Sequence, residues 1–192
     1  MKKKLAWIPN MLSVYRMLAL PFILRAILAG DPGNFILLLS INLISDILDG
    51  FIARRFHFET ELGARLDSFA DMGTYSMAFT GMLVLQHSFV QAHYVAFIAM
   101  MILYTLPQLV CLARFHRPTS LHLYSSKVLG YVQGVFIVHL FLTGGNEFFF
   151  WFMTVQSYCT YLEALLIVLF IPVLRSNVKG VFFMIRDYKK IS

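Results

Sequence analysis

Four aspartates with helical spacing are the residues of this sequence best suited to chemistry. Asp46 and Asp49 are three positions apart, and Asp67 and Asp71 are four apart, so each pair lies on one face of a helix. Four converging carboxylates repel one another unless cations neutralise them, and Mg²⁺ or Mn²⁺ prefers such hard oxygen ligands. Two such ions about 3.5–4 Å apart are a recurring device for phosphoryl-type displacement.

Small residues share the faces that carry these aspartates. Gly50 and Ala53 follow the first pair by helical steps, and Gly63 precedes Asp67 by four positions. Because they have little or no side chain, they leave room for a bulky ligand beside the ions. Small residues in membrane helices also serve close helix packing, so both interpretations apply to each of them.

The composition indicates which kind of secondary structure holds these residues. Of 192 residues, 59% are hydrophobic and 14% are charged, with a mean hydropathy of +0.72, against about 45–50% and about 25% in soluble domains. These values exclude a soluble globule, a disordered chain, collagen and a disulfide scaffold. Apolar blocks of about 20 residues, each long enough to cross a bilayer as a helix, are separated by five polar breaks at 30–34, 57–61, 86–93, 114–120 and 144–147.

The pattern predicts an all-α integral membrane protein. It has six transmembrane helices, a short N-terminal interfacial helix and a cytoplasmic C-terminal tail from Arg175, in a single membrane domain over residues 1–192. In this setting each aspartate would cost about 2.5–3.5 kcal/mol at mid-bilayer. A specific charge partner for the four carboxylates is therefore implied.

The basic residues predict the orientation. With the N-terminus in the cytoplasm, 14 of the 16 Lys and Arg residues fall on the cytoplasmic side, as the positive-inside bias requires. The net charge of +6 then needs no nucleic-acid partner. Arg16 and Arg25 lie inside the first apolar block; Arg25 can snorkel to the outer surface, whereas a functional cavity could use Arg16.

The spacing of the chemistry-bearing residues resembles a known signature. Eight fixed positions over residues 46–71 follow the pattern Asp-x2-Asp-Gly-x2-Ala-Arg-x8-Gly-x3-Asp-x3-Asp, which is similar to that of the CDP-alcohol phosphotransferase family, here its phosphatidylglycerophosphate synthase-like branch. The resemblance implies transfer of a substituted phosphate from a CDP-linked donor to an alcohol, with release of CMP. It also implies two divalent cations, Mg²⁺ or Mn²⁺, in a cytoplasm-facing cavity of a homodimer, in the cytoplasmic membrane of a bacterium.

The resemblance also implies roles for individual residues. Asp46 and Asp67 would bridge both metals, Asp49 would complete the first site, and Asp71 would complete the second and act as general base. The residues implied in binding CDP-diacylglycerol are Asn10, Gly50, Ala53, Arg54, Thr60 and Gly63. Asn10 belongs to a Pro-Asn-x-x-Ser segment that precedes Arg16.

Cytoplasmic basic residues are the candidates for binding the polar alcohol acceptor. Lys127 opens a Ser-Lys-Val segment that resembles one in enzymes with glycerol-phosphate or inositol-phosphate acceptors, although Gly130 stands where a Thr is expected. Glycerol 3-phosphate is the favoured acceptor, with phosphatidylglycerol and inositol phosphate as alternatives. The other candidates, which also satisfy the positive-inside bias, are Arg65, Arg114 and Arg117.

Two rival functions, a cation transporter and a non-catalytic scaffold, are also considered for a protein with carboxylates in its membrane helices. Membrane carboxylates also mark cation transporters, but residues 72–85 after the last aspartate carry no further carboxylate. A non-catalytic scaffold is the other rival, and the intact signature argues against it. His139 and Glu163 are expected to bond to a neighbouring helix, and Phe148–Phe152 to form an aromatic belt at the outer interface.

Overall fold

The fold is known from a computed structural model that describes residues 7–56, 61–116 and 123–171. Within these ranges the regular structure is entirely helical. The helices are α1 (Ile8–Leu28), α2 (Pro32–Phe56), α3 (Glu61–Leu85), α4 (His87–Ala92), α5 (Tyr94–Phe115), α6 (Tyr124–Thr143) and α7 (Glu147–Phe170). The predicted interfacial segment before Trp7 and the tail from Arg175 lie outside the described residues.

Five of these helices are long and apolar enough to cross a membrane. They are α1, α2, α5, α6 and α7, with spans of 19 to 24 residues. The protein is therefore an all-α, multi-pass integral membrane protein, as predicted. Helix α3 has 25 residues, but charged residues crowd its first half, so the sixth predicted span rests on its length and stays a prediction.

The chain forms two compact units, residues 1–91 and 92–192. In the first unit α1 packs against both α2 and α3. Two glycines of α3 permit close approach: a Cβ on Gly73 would lie 2.3 Å from Leu20 Cδ1, and a Cβ on Gly81 would lie 2.2 Å from Phe35 Cζ. Both glycines therefore serve helix packing, the common use of small residues in membrane helices.

The connection between α1 and α2 is shorter than the polar break predicted for it. Gly30 takes a left-handed conformation with φ of 65°, which glycine adopts without steric cost, and Pro32 begins α2, where its missing N–H is harmless. Asp31 Oδ1 accepts a 3.0 Å hydrogen bond from the backbone N–H of Asn34 and so caps the helix. This bond, with one from the Asn34 side chain, lowers the pKa of the Asp31 carboxyl.

The break at 86–93 also differs from the prediction, because it contains the six-residue helix α4. A helix of six residues is too short to show a periodic apolar pattern. Three of its six residues are polar, so the sequence predicts a polar break there.

In the second unit α7 packs against α5 and α6. Phe150 is fully buried, with its ring centroid 5.6 Å from that of Phe97 and 5.9 Å from that of Phe136. The predicted aromatic belt is therefore wrong for Phe150, which belongs to the core of this unit. Its neighbours Phe148 and Phe152 are exposed, as a belt requires.

Candidate active site

The four aspartates come together in the first unit, from two helices. Asp46 and Asp49 project from α2, and Asp67 and Asp71 from α3. One carboxylate oxygen from each of Asp46, Asp49 and Asp67 lies within 4.8 Å of the others. The two helix faces predicted to carry the aspartates therefore meet in the structure.

Arg16 of α1 lies among these carboxylates and donates to all four. Its Nη1 donates to Asp46 Oδ1 at 2.6 Å and to Asp71 Oδ1 at 2.6 Å. Its Nη2 donates to Asp49 Oδ2 at 2.9 Å and also to Asp67 Oδ1. The guanidinium thus joins Asp71 to the other three aspartates, and we call these five residues the Arg16–aspartate cluster.

The Arg16–aspartate cluster has a buried side and an open side. The side chain of Arg16 is 0% exposed and that of Asp49 is 5% exposed. By contrast, the side chains of Asp46 and Asp71 are each 37% exposed and that of Asp67 is 44% exposed. Three carboxylates can therefore be reached by a ligand, while the guanidinium lies behind them.

Helical periodicity on three helices explains why these groups meet. Ser13 and Arg16 share one face of α1, Asn42 lies four residues before Asp46 on α2, and Thr74 follows Asp71 by three residues on α3. Positions three or four apart lie above one another on a helix. Each helix thus presents a polar stripe, and the three stripes face one another.

A buried polar network fixes α1 against its neighbours. Ser13 Oγ donates to Asp49 Oδ2 at 3.2 Å, and Asn42 Nδ2 donates to the backbone carbonyl of Arg16 at 3.3 Å and to Thr74 Oγ1 at 3.4 Å. Ser13, Asn42 and Thr74 are all buried. Because buried polar groups are costly to leave unpaired, these bonds restrict how α1 can slide or rotate.

The sequence marks Arg16 as a cation that a functional cavity could use, but it does not predict that Arg16 pairs with the four aspartates. The cost of four membrane carboxylates implies a charge partner, and the sequence assigns that role to divalent cations alone. The available signal was the position of Arg16, a cation deep in an apolar block where cations are as costly as carboxylates. Pairing it with the aspartates requires knowing how α1 packs on α2 and α3, which no local pattern shows.

The donor set of the cluster fits divalent cations. Its ligand atoms are carboxylate oxygens, which suit Mg²⁺ and Mn²⁺ and are poor ligands for soft metals. The approach of three such oxygens to within 4.8 Å allows one ion to contact all of them. The exposed side chains of Asp46, Asp67 and Asp71 give an ion a way in.

The predicted donor-binding residues that the structure describes belong to the three helices that form the cluster. Gly50 adjoins Asp49 on α2 and is half-buried, Gly63 lies one turn before Asp67 on α3, and Asn10 lies one turn before Ser13 on α1. Ala53 and Arg54 belong to the last turns of α2, but their side chains are not among those described. Thr60 lies outside the described residues.

The predicted acceptor-binding residues fall in both units. Arg65 is exposed on α3, close in sequence to Asp67, whereas Lys127 is exposed in the first turn of α6, with its Nζ 5.9 Å from the centroid of the Tyr124 ring. Arg114 Nη1 donates to the carbonyls of Val168 at 2.8 Å and Leu169 at 2.5 Å. Arg114 thus caps the end of α7. Arg117 lies outside the described residues.

Glu163 and His139 are the two polar residues of the second unit that the sequence predicts to bond to a neighbouring helix. Glu163 of α7 accepts a 2.6 Å hydrogen bond from Ser125 Oγ of α6, as predicted. His139 instead lies within hydrogen-bond distance of Thr143 on its own helix, 3.3 Å from Nε2 to Oγ1. The expectation was wrong for His139, since a hydroxyl one turn away meets the need for a partner locally.

Comparison with known protein families identifies the chain. The CDP-alcohol phosphatidyltransferase family matches residues 6–169. The chain belongs to this family. The match includes α1, which carries Arg16, and the whole segment that holds the four aspartates. No curated protein and no solved structure matched the chain.

Membership of the CDP-alcohol phosphatidyltransferase family decides between the functional classes considered from sequence. The protein is an integral membrane transferase that acts on a CDP-alcohol, so its membrane aspartates belong to an enzyme rather than to a cation transporter. The family uses divalent metal ions, and the aspartate cluster is the part of the described structure that fits them.

Proposed function

We propose that this CDP-alcohol phosphatidyltransferase moves a phosphatidyl group from CDP-diacylglycerol to a polar alcohol and releases CMP, in a reaction that depends on two divalent cations, Mg²⁺ or Mn²⁺. The observation that supports this most is the convergence of Asp46, Asp49, Asp67 and Asp71 around one guanidinium. These are four of the eight positions of the family signature. In the reaction, the acceptor oxygen bonds to the lipid-linked phosphorus, and the bond from that phosphorus to CMP breaks.

The aspartates would divide the metal ligation. Asp46 and Asp67 would contact both cations, Asp49 would complete one site and Asp71 the other. Bound there, the cations would neutralise negative charge on the diphosphate and on the departing CMP.

Asp71 would accept the proton of the attacking hydroxyl. A general base needs to reach the proton that it removes, and the Asp71 side chain is 37% exposed, which lets an alcohol approach it. Its Oδ1 is held by Arg16, so the orientation of the carboxylate is fixed.

The donor would bind beside the cluster with its acyl chains in the lipid. Arg54 would contact the diphosphate by charge-assisted hydrogen bonds, and Gly50, Ala53 and Gly63 would give the nucleotide room. Asn10 and Thr60 would contact the nucleotide as well. The site would face the cytoplasm, because CMP and a polar acceptor travel through water.

Glycerol 3-phosphate is the acceptor that the sequence favours, which would make the enzyme a phosphatidylglycerophosphate synthase. Lys127 is the first choice for its phosphate, and Arg65, Arg114 and Arg117 are further candidates. Phosphatidylglycerol and inositol phosphate are the alternatives, because Gly130 departs from the expected Thr. We further propose a homodimer in the cytoplasmic membrane of a bacterium, with both termini in the cytoplasm.

The function is tested with purified protein and CDP-diacylglycerol carrying a radiolabelled phosphatidyl group. CMP release and labelled product are measured with Mg²⁺, Mn²⁺ or EDTA and with each of the three acceptors. We expect metal-dependent CMP release with glycerol 3-phosphate and none in EDTA. Absence of metal-dependent release with every acceptor would contradict the proposed reaction, whereas release with another acceptor would correct only the specificity.

A further inference from the structure

The geometry points to Arg16 as a positioning residue of the metal site: it holds one oxygen of each aspartate from the buried side and stays there when cations bind from the open side. This inference rests on the proposed metal dependence. Arg16 would contact neither substrate nor cation. It would set the directions in which the four carboxylates present their remaining oxygens.

Arg16 does not use both oxygens of any aspartate in the cluster. Arg16 contacts one oxygen of each carboxylate, namely Oδ1 of Asp46, Asp67 and Asp71 and Oδ2 of Asp49. A carboxylate has two oxygens and about four lone-pair sites, so each retains one that Arg16 does not bind. The guanidinium and the cations can therefore share the aspartates without competing for the same oxygen.

Arg16 and three of its aspartate partners differ in burial. Arg16 is 0% exposed, whereas the side chains of Asp46, Asp67 and Asp71 are 37% to 44% exposed. A cation arriving from the open side meets carboxylates first. If the cations displaced the guanidinium, a buried charge would lose all four of its carboxylate partners, and leaving a buried charge unpaired is strongly unfavourable.

Arg16 is itself held in place on α1. Its backbone carbonyl accepts a hydrogen bond from Asn42 Nδ2, and one turn later Leu20 packs against α3 where a Cβ on Gly73 would lie 2.3 Å from Leu20 Cδ1. The helix that carries the guanidinium is thus fixed against both helices that carry the aspartates. The planar, rigid guanidinium of an arginine on a fixed helix orients carboxylates better than the flexible ammonium of a lysine would.

The charges of the cluster agree with this assignment. Four carboxylates and one guanidinium leave three net negative charges, and two divalent cations would convert these into one net positive charge. A loaded site with Arg16 in place would therefore attract an anionic diphosphate. Without Arg16 the loaded site would be neutral.

The test compares Mn²⁺ binding to purified wild type, Arg16→Lys and Arg16→Gln, with free Mn²⁺ measured by EPR. Arg25→Lys is the matched control, because Arg25 is exposed on the same helix. Arg16→Lys keeps the positive charge and loses the planar guanidinium. We expect this variant to bind Mn²⁺ about 10- to 100-fold more weakly, which is the usual effect of removing a group that orients metal ligands. Arg16→Gln should weaken binding as well, and Arg25→Lys should leave it unchanged.

Three results would overturn the inference while leaving the proposed function intact. Arg16→Lys could bind as tightly as wild type, Arg16→Gln could bind more tightly, or both could lower the melting temperature without changing Mn²⁺ affinity. The last result would show a purely structural role. Failure of the wild type to bind Mn²⁺ would overturn the proposed metal dependence itself and this inference with it.

A measurement on the wild type covers the case in which the Arg16 variants do not fold. Phenylglyoxal modification of arginines is followed by mass spectrometry with and without Mn²⁺. Arg16 should stay unreactive in both conditions while the exposed Arg25 reacts in both. Modification of Arg16 on addition of Mn²⁺ would show that cations displace it, and would overturn the inference.

Discussion

Arg16 and Asp71 lie 55 positions apart in the sequence and are joined by a 2.6 Å hydrogen bond from Nη1 to Oδ1. This bond links the first helix to the proposed general base on the third. The orientation of Asp71 therefore depends on a helix that carries none of the four aspartates.

Asp71→Asn should abolish turnover while CDP-diacylglycerol binding remains measurable. The amide cannot accept the hydroxyl proton, and loss of a general base lowers rates by about 10²- to 10⁴-fold. CMP release measures turnover, and retention of labelled donor on the immobilised protein measures binding. Asp31→Asn is the matched control because Asp31 is outside the cluster, and it should retain activity. Wild-type turnover in Asp71→Asn would remove Asp71 from the role of base.

Lys127→Gln should raise the KM for glycerol 3-phosphate by about tenfold or more, because a charge-assisted hydrogen bond contributes about 1.5–3 kcal/mol. The kcat should change less, since the lost contact is with the non-reacting phosphate. Steady-state kinetics over a range of acceptor concentration separate the two constants, and Arg25→Gln serves as control for the loss of one positive charge. An unchanged KM would leave Lys127 as a residue of the positive-inside pattern only.

Gly81→Ala should lower the melting temperature more than Gly73→Ala. The new methyl group at position 81 would meet the ring of Phe35 at 2.2 Å, whereas at position 73 it would meet the end of the flexible Leu20 side chain at 2.3 Å. Forcing a group into a packed contact costs about 1–3 kcal/mol, and Leu20 can rotate away. Gly33→Ala is the control, because its nearest contact would be an ordinary 3.5 Å. Equal losses at positions 73 and 81 would contradict the packing described here.

The carboxyl of Asp31 should titrate below its usual range. Hydrogen bonds from the backbone N–H and the side chain of Asn34 lower the pKa of Asp31, so the stability that they contribute is present above the unfolded pKa of about 3.9 and is lost as the pH falls through the folded pKa. Carbon-13 NMR of labelled aspartate follows the titration. Asn34→Ala should raise this pKa only in part, because the backbone donor remains, and an ordinary pKa in the wild type would contradict the capping bond.

Local patterns in the sequence predicted the helices and the aspartate faces well. The intervals between Asp46 and Asp49 and between Asp67 and Asp71 are helical steps, and helical periodicity depends only on neighbours along the chain. The start of α2 differs from the prediction, because the polar break predicted at 30–34 contains Pro32, which begins α2 in the structure. Short α4 was missed because six residues carry too little pattern.

Contacts between helices could not be predicted in the same way. The sequence marks Arg16 as unusual, but its hydrogen bonds reach residues 30 to 55 positions away. Whether the aspartates pair with Arg16, with cations or with both depends on how α1 packs against α2 and α3. Phe150 likewise shares an aromatic run with exposed neighbours, and only its position against Phe97 and Phe136 makes it part of the core.

The place of Arg16 on the first helix affects how the protein enters the membrane. A growing chain exposes α1 to the bilayer before α2 and α3 have been made, so Arg16 arrives without its carboxylates, and the first two aspartates arrive before the last two. Each isolated charge would cost about 2.5–3.5 kcal/mol at mid-bilayer, and the cost falls only when opposite charges meet. The three helices therefore gain from settling into the bilayer as one group, because Arg16 is stable there only once its carboxylate partners on α2 and α3 have arrived.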